Sequence, residues 1–352
     1  MATTFSTRII QAPMAGGPAT PSLVKAVCDA GALGFLAGGY LSPQAFDQQI
    51  VDVGDLQFGV NLFVPEAHHP KDEDLDSYRN ALAPAFAELG VDLPAVPSFT
   101  DDSFNAKVDI VLQRQPGYCT FTFGLPESSV VSSLQAVGIR VGITVTTVAE
   151  ALRAVENRAD FLILQGPDAG GHSGQFDQSA EPSTLNLSAF IDEARSKVTL
   201  PLVAAGGIGT PADAAALLAR GADAVQIGTR FLTSHEAGTK PCHRRALIEG
   251  SYTETTRTRA FSGRPARGLR NEFIDRFDAE SVIGYPHVNT LVGSLKKAAD
   301  EDPAWQNLWA GTGWAECREQ SAAEIVREFS EYLNSRVLRA SRQAQEPVRD
   351  RL

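Results

Sequence analysis

The sequence predicts a (β/α)8 (TIM) barrel, an α/β fold, with a small domain inserted after the eighth strand. Three observations carry this. Eight short apolar, β-rich runs recur between residues 9 and 230. Helical patterns alternate with them, entered through glycine or proline. The turn after the first run, Met14-Ala15-Gly16-Gly17-Pro18, lacks the GxGxxG that opens a dinucleotide-binding sheet. The 352 residues exceed the roughly 250 of a plain barrel, which leaves room for an appended element.

Taken in order, strands are expected at residues 9–13, 34–37, 57–63, 118–123, 140–145, 161–165, 201–205 and 224–227. Helical patterns lie at 21–30, 128–137, 148–157 and 211–220. The last has Thr210 as N-cap and Gly221 as its stop. The third and fourth strands are joined by an elaborated connection, with a charged segment at 68–76 and helical patterns around 81–89 and 104–113. After Thr229 the rhythm stops. Residues 231–285, richer in arginine and threonine, are expected as an inserted small domain; 286–345 then returns to the barrel formed by 1–230, and 346–352 is a solvated tail.

A hydrophobic fraction of 43% against 21% charged residues is that of a globular protein with a sizeable core. The formal charge of -11 repels phosphate backbones, so nucleic acid is not an expected partner. No apolar run approaches the roughly 20 residues of a membrane span, and residues 1–8 lack a signal-peptide core, so a cytoplasmic monomer or homodimer is expected. Cys28, Cys119, Cys242 and Cys317 lack the spacing of a zinc or redox motif and read as free thiols; no metal site is expected.

Barrel active sites lie at the C-terminal strand ends, and a phosphate commonly binds the loops after strands seven and eight. The first loop is Ala205-Gly206-Gly207-Ile208-Gly209-Thr210, where absent side chains let amides and a helix N-terminus approach an anion. The second, Gln226-Ile227-Gly228-Thr229-Arg230, adds amides, a hydroxyl and a guanidinium. A phosphate-bearing ligand is expected there. After strand six, Gln165-Gly166-Pro167-Asp168-Ala169-Gly170-Gly171-His172-Ser173-Gly174 puts His172 on a close-fitting turn, suited to take a proton from carbon near neutral pH. Asp168 either orients that imidazole or caps the turn. His68, His69, His235, His243 and His287 read as surface or packing residues. Tyr285 either reaches the pocket or packs.

Several segments together resemble the nitronate monooxygenases, formerly 2-nitropropane dioxygenases. They are Gln11-Ala12-Pro13-Met14-Ala15-Gly16-Gly17 with Thr20-Pro21, then Gly59-Val60-Asn61-Leu62-Phe63, Asp168-Ala169-Gly170-Gly171-His172, Ala205-Gly206-Gly207-Ile208 and Gln226-Ile227-Gly228-Thr229. Phe261-Ser262-Gly263-Arg264-Pro265-Ala266-Arg267-Gly268 and Tyr285-Pro286 extend the resemblance. It implies non-covalent FMN, with the flavin ring near Met14 and Ala15 and contacts from Asn61, Gln165 and Gly170. The phosphate would lie against Gly206, Gly207, Gln226, Ile227, Gly228 and Thr229. The position after the histidine, often arginine in relatives, is Ser173, which removes a cation and puts substrate preference in question. The implied reaction is oxidation of an alkyl nitronate, such as propionate 3-nitronate, or of a nitroalkane by O2 to a carbonyl compound and nitrite, with His172 as base or hydrogen-bond donor. Two other readings of the same barrel are an FMN-dependent NAD(P)H:quinone or enoyl-ACP reductase, and a barrel that binds a phosphorylated ligand without redox chemistry.

Overall fold

A computed structural model of the chain describes residues 5–65 and 70–345. The expected tail at 346–352, together with His68 and His69, lies outside the described residues. Eight parallel strands form the barrel: β1 (Ile9–Gln11), β2 (Phe35–Ala37), β3 (Gly59–Phe63), β4 (Tyr118–Thr122), β5 (Arg140–Val145), β6 (Phe161–Gln165), β8 (Leu202–Ala205) and β9 (Ala224–Ile227). The short β7 (Gly171–His172) belongs to a second sheet. Each barrel strand falls within the run expected of it.

Neighbours pair in register round the ring, β9 on β1 included. Between β1 and β2 the ring closes on few rungs: Gln11 N donates to Leu33 O at 2.9 Å and Leu33 N to Ile9 O at 3.1 Å. The wholly buried Gln11 side chain replaces a missing rung, with its Nε2 donating to Phe35 O at 3.3 Å and its Oε1 accepting from Phe35 N at 3.0 Å.

Period-two alternation splits each strand between two apolar layers. Ile10, Phe35, Tyr118, Phe161, Ile163 and Val203 fill the barrel interior with Phe5, whereas Ile9, Leu36, Leu162, Leu164 and Leu202 face the surrounding helices. Glycine in two strands makes room for the interior rings. A Cβ at Gly59 would stand 2.2 Å from the Phe35 ring, and one at Gly142 2.4 Å from that of Phe161. The outer helices start where their caps dictate: Thr210 and Asp213 form a reciprocal capping box on Pro211–Ala219.

A second apolar core lies beside the barrel. Leu75, Tyr78 and Phe86, from the connection between β3 and β4, pack with Phe261, Phe273, Phe277, Val288, Leu291 and Trp305. The helix His287–Ala298 belongs to this second core, so the chain returns to the barrel later than residue 286. It returns with Ala322–Gln345, whose Ile325, Val326 and Phe329 join the barrel's outer layer. A three-stranded antiparallel sheet links the two cores: β10 (Thr255–Thr258), β11 (Ala266–Leu269) and β7, with Ala266 opposite His172.

Candidate active site

The C-terminal ends of the barrel strands open into a cavity of about 620 Å3. Met14, Ala15, Asn61, Gln165, Gly170, His172, Gly206, Gly207, Gln226, Ile227, Gly228 and Thr229, the residues singled out in the sequence, all line it. Asn61 is fixed from below, its Nδ2 donating to Thr120 Oγ1 and Thr122 Oγ1 at 3.0 Å each. Gln165 clamps the turn that follows it: Nε2 donates to His172 O at 3.1 Å and Oε1 accepts from Gly174 N at 2.6 Å.

The glycine loops meet too closely for side chains. A Cβ at Gly170 would stand 2.5 Å from Gly311 N, and one at Gly207, whose φ is +71°, 2.9 Å from Asp168 Cβ. Among the described residues, the N–H groups of Gly206, Gly207, Gly228 and Thr229 donate to no protein acceptor. Four amides beside one cavity can hold a phosphate ester. The N-terminus of the next helix is less available than expected, because the Asp213 carboxylate accepts from Gly209 N at 3.1 Å and Thr210 N at 2.8 Å. Arg230 is likewise not a phosphate ligand. Its buried guanidinium turns away to Gly209 O (2.7 Å), Gln320 Oε1 (2.9 Å) and Glu328 Oε2 (2.9 Å), pinning the final helix to the barrel.

His172 sits in the short β7 rather than on a free turn, held by β11 and by Ser173 N donating to Pro265 O at 2.7 Å. Its ring meets those of Trp309, Tyr285 and Phe123 at centroid distances of 5.4, 5.7 and 5.9 Å. Its Nε2 lies 2.9 Å from Ser262 Oγ. Ser262 Oγ donates to Arg264 O at 3.1 Å and accepts from Arg264 N at 3.3 Å, so it has an acceptor site left but no second proton. In the tautomer protonated on Nε2 this hydroxyl accepts from the imidazole, whose lone pair is then on Nδ1. Ser262, not Asp168, orients the ring; Asp168 contributes a carbonyl that accepts from Thr312 N at 3.1 Å.

Burial, with the charge of Lys296 adding to it, pushes the His172 pKa down to about 3. The ring is thus neutral throughout the physiological range and a weaker base than a histidine titrating near neutrality.

Residues after Thr229 supply groups that the sequence did not mark. Lys240, Cys242, His243, Lys296, Lys297, Asp300, Gln306 and Trp309 all line the cavity. His243, expected as a surface or packing residue, lines the site, with Nε2 3.1 Å from Trp309 O and its pKa pushed down to about 4 by burial. Tyr285 packs against His172 and its hydroxyl meets that of Tyr40 at 3.3 Å. Tyr40 and Phe123, both at the cavity, hold left-handed φ values of 67° and 79°. Ser173 turns its hydroxyl to Gln175 Oε1 at 2.9 Å, and its carbonyl accepts from Arg264 Nε at 3.1 Å. The Arg264 guanidinium stands 4.0 Å over the Phe123 ring.

A family model described as nitronate monooxygenase matches residues 1–331. The chain is 36% identical to a "Probable nitronate monooxygenase" of Bacillus subtilis over 314 residues, covering 87% of this chain and 89% of the relative. It is 33% identical over 339 residues to one from Staphylococcus saprophyticus, covering 93% and 95%. Among solved structures, the nitroalkane oxidase of Streptomyces ansochromogenes superimposes with a TM-score of 0.90 at 36% identity, over 96% of this chain and 98% of that one. FabK from Thermotoga maritima shares the fold, with a TM-score of 0.74 at 22% identity over 96% of each chain. Sequence match, barrel and the histidine beside the glycine loops agree: the chain belongs to the nitronate monooxygenase family of flavin-dependent enzymes.

Proposed function

We propose that the cavity binds FMN and that the enzyme oxidises alkyl nitronates, propionate 3-nitronate among them, with O2 to a carbonyl compound and nitrite. The observation that carries this is His172, neutral and oriented by Ser262, on the wall of the cavity that also presents the four unengaged amides. Those amides of Gly206, Gly207, Gly228 and Thr229 would hold the FMN phosphate, in loops that at Gly206 and Gly207 press too closely on Ala169 and Asp168 for a Cβ. Met14, Ala15, Asn61 and Gly170 would border the ring. Bound FMN supplies the electron transfer that no side chain of the cavity can perform.

The chain's own part is binding, orientation and one proton. A neutral nitroalkane must lose a proton from carbon before it is a nitronate, and the Nδ1 lone pair of His172 is the base for that step. A nitronate arrives already deprotonated and leaves Nδ1 nothing to remove. His172→Asn is therefore expected to depress nitroalkane turnover far more than nitronate turnover. Equal losses on both substrates would remove the base role. Anaerobic mixing tests the reaction class: propionate 3-nitronate should bleach the bound flavin, whereas bleaching by NADH or NADPH alone would favour the reductase reading.

A further inference from the structure

Tyr40 is held on the cavity wall by three separate contacts, yet its own hydroxyl proton is committed to none of them. It follows Gly38 and Gly39 in the turn after β2 and lines the cavity together with Phe63, Phe123 and His172. Its φ of 67° is one that a residue with a side chain seldom adopts, so the surroundings impose it. Tyr40 N donates to Asp102 Oδ1 at 3.2 Å, and Asp102 Oδ2 is ion-paired at 2.7 Å with the buried Lys107. The Tyr40 ring packs edge-on against Phe63 at 5.5 Å, beside Gly39, where a Cβ would stand 2.2 Å from the Phe63 ring. The Tyr285 hydroxyl donates to that of Tyr40 at 3.3 Å.

The last contact fixes the direction of the hydrogen bond. The Tyr40 oxygen is the acceptor, and among the described residues its own O–H donates to no protein group. Tyr285 is buried behind the wall, so of the two hydroxyls it is Tyr40 that can offer a proton to a ligand in the cavity. The same Tyr285 ring lies 5.7 Å from that of His172. Ring contacts of 5.5, 4.6 and 5.9 Å also run from Tyr40 through Phe63 and Phe123 to His172, which puts phenol and imidazole on one stretch of wall.

We propose that Tyr40 is a further catalytic residue, which donates its hydroxyl proton in a hydrogen bond to an oxygen of the nitro group while His172 acts on the adjacent carbon. The inference rests on the nitronate reading above and adds to it the group that meets the developing charge. With a neutral nitroalkane, the C–H bond breaks and its proton passes to His172 Nδ1. The electron pair forms the C=N bond, and the negative charge ends on the two nitro oxygens. Tyr40 keeps its proton throughout. Its hydrogen bond strengthens as the charge arrives and so lowers the barrier. A nitronate carries that charge from the start, and the same hydrogen bond then contributes to binding.

Tyr40→Phe removes the donor and keeps the ring against Phe63. In steady-state nitrite release with 1-nitropropane, kcat should fall by about tenfold to a hundredfold with KM changed by less than about threefold. With propane 1-nitronate, KM should rise by about tenfold with kcat changed by less than about threefold. Misplacing His172 would leave the nitronate nearly untouched, and a general loosening of the wall would move the same parameter for both substrates. Butyrate, the unreactive carboxylate isostere of propane 1-nitronate, gives a readout free of turnover. In calorimetric titration of the flavin-loaded protein it should bind about tenfold more weakly to Tyr40→Phe than to wild type.

Equal changes in one parameter for both substrates, or butyrate binding indifferent to Tyr40→Phe, overturn the proposal. If wild type oxidises neither substrate while butyrate binding still weakens in the variant, the oxyanion donor stands and the nitronate reading falls. If wild type oxidises both and the variant matches it, the nitronate reading stands and Tyr40 has no part in the reaction.

Discussion

Replacing Ser262 by alanine separates the orientation of His172 from its presence. The hydroxyl makes three hydrogen bonds, from His172 Nε2–H at 2.9 Å, to Arg264 O at 3.1 Å and from Arg264 N at 3.3 Å. Without it, Nε2–H loses its partner in a pocket walled by the rings of Trp309, Tyr285 and Phe123. A buried donor stranded in this way costs about 1–3 kcal/mol. The imidazole avoids that cost by changing tautomer or turning, and either movement takes the lone pair away from its position at Nδ1. Ser262→Ala should therefore lower kcat for a neutral nitroalkane by roughly tenfold to a hundredfold, and for the corresponding nitronate by less than about threefold. Ser262→Thr, which keeps the hydroxyl, should recover most of the loss. Nitrite release measures both rates, and 15N NMR of the histidine ring reads the tautomer directly. A wild-type ring protonated on Nδ1, or a Ser262→Ala variant that slows both substrates equally, would refute the assignment.

Gly207→Ala forces alanine into a left-handed φ of +71° and places its Cβ 2.9 Å from Asp168 Cβ; the backbone alone costs about 1–2 kcal/mol. The variant should purify with less flavin absorbance per chain and a lowered Tm. Arg230→Met removes one of the two guanidinium partners of Glu328, Arg318 being the other, and strands the buried carbonyl of Gly209, so it should cost about 1–3 kcal/mol in urea unfolding while leaving flavin affinity within about fivefold. Full loss of flavin binding would instead make Arg230 a phosphate ligand.

For pH, the folded pKa values of His172 (about 3) and His243 (about 4) lie below the unfolded value. The unfolded chain then binds more protons, so their stabilisation is complete above about pH 6.5 and is lost as pH falls through 4 and towards 3, at up to about 1.4 kcal/mol per pH unit for each. Urea midpoints between pH 6.5 and 4.5 should show this slope, and His243→Gln should roughly halve it. By the same sign, nitroalkane kcat/KM should show no acid limb near pH 6.5 arising from His172; finding one would put the ring in a wetter setting than this.

The barrel was legible because its signal is periodic and local. Short apolar runs set off by glycine or proline placed all eight strands, since a strand buried on both faces needs little beyond such a run. The glycine loops were legible for a related reason, in that close backbone approach leaves its mark as glycine whatever the ligand. What failed was long-range. Arg230 stands in a phosphate-type loop, yet Glu328, 98 residues later, decides where its guanidinium turns. His172 was readable by position but not in its basicity, because the aromatic rings that desolvate it include Tyr285 and Trp309 from far along the chain. Ser262 lies 90 residues from the imidazole it orients, and only its place in a family-like segment marked it. His243 and the cavity lysines follow the point where the β/α rhythm stops, and beyond it no period says which residues face inward.

This division has a mechanical consequence. Barrel strands fix Asn61, and the phosphate cradle sits on the strand-end loops with Gly311 N donating to Thr229 Oγ1 at 3.0 Å. The reacting end is fixed by neither core alone. Gln165 holds the turn containing His172 from the barrel side, and β11, Ser262 and Arg264 hold it from the other. Arg264 is the sharpest case. It is wholly buried, it sits over Phe123 of the barrel rim, and it donates to the carbonyls of Ser173 and Gln175, so that burial lowers its pKa to about 9. A guanidinium is kept in so dry a place only where its donors are engaged, and here that engagement draws the second core down onto the turn. Disturbing the contact between the cores should therefore misplace His172 before it releases the flavin, since the cradle amides belong to loops that follow directly on the barrel strands.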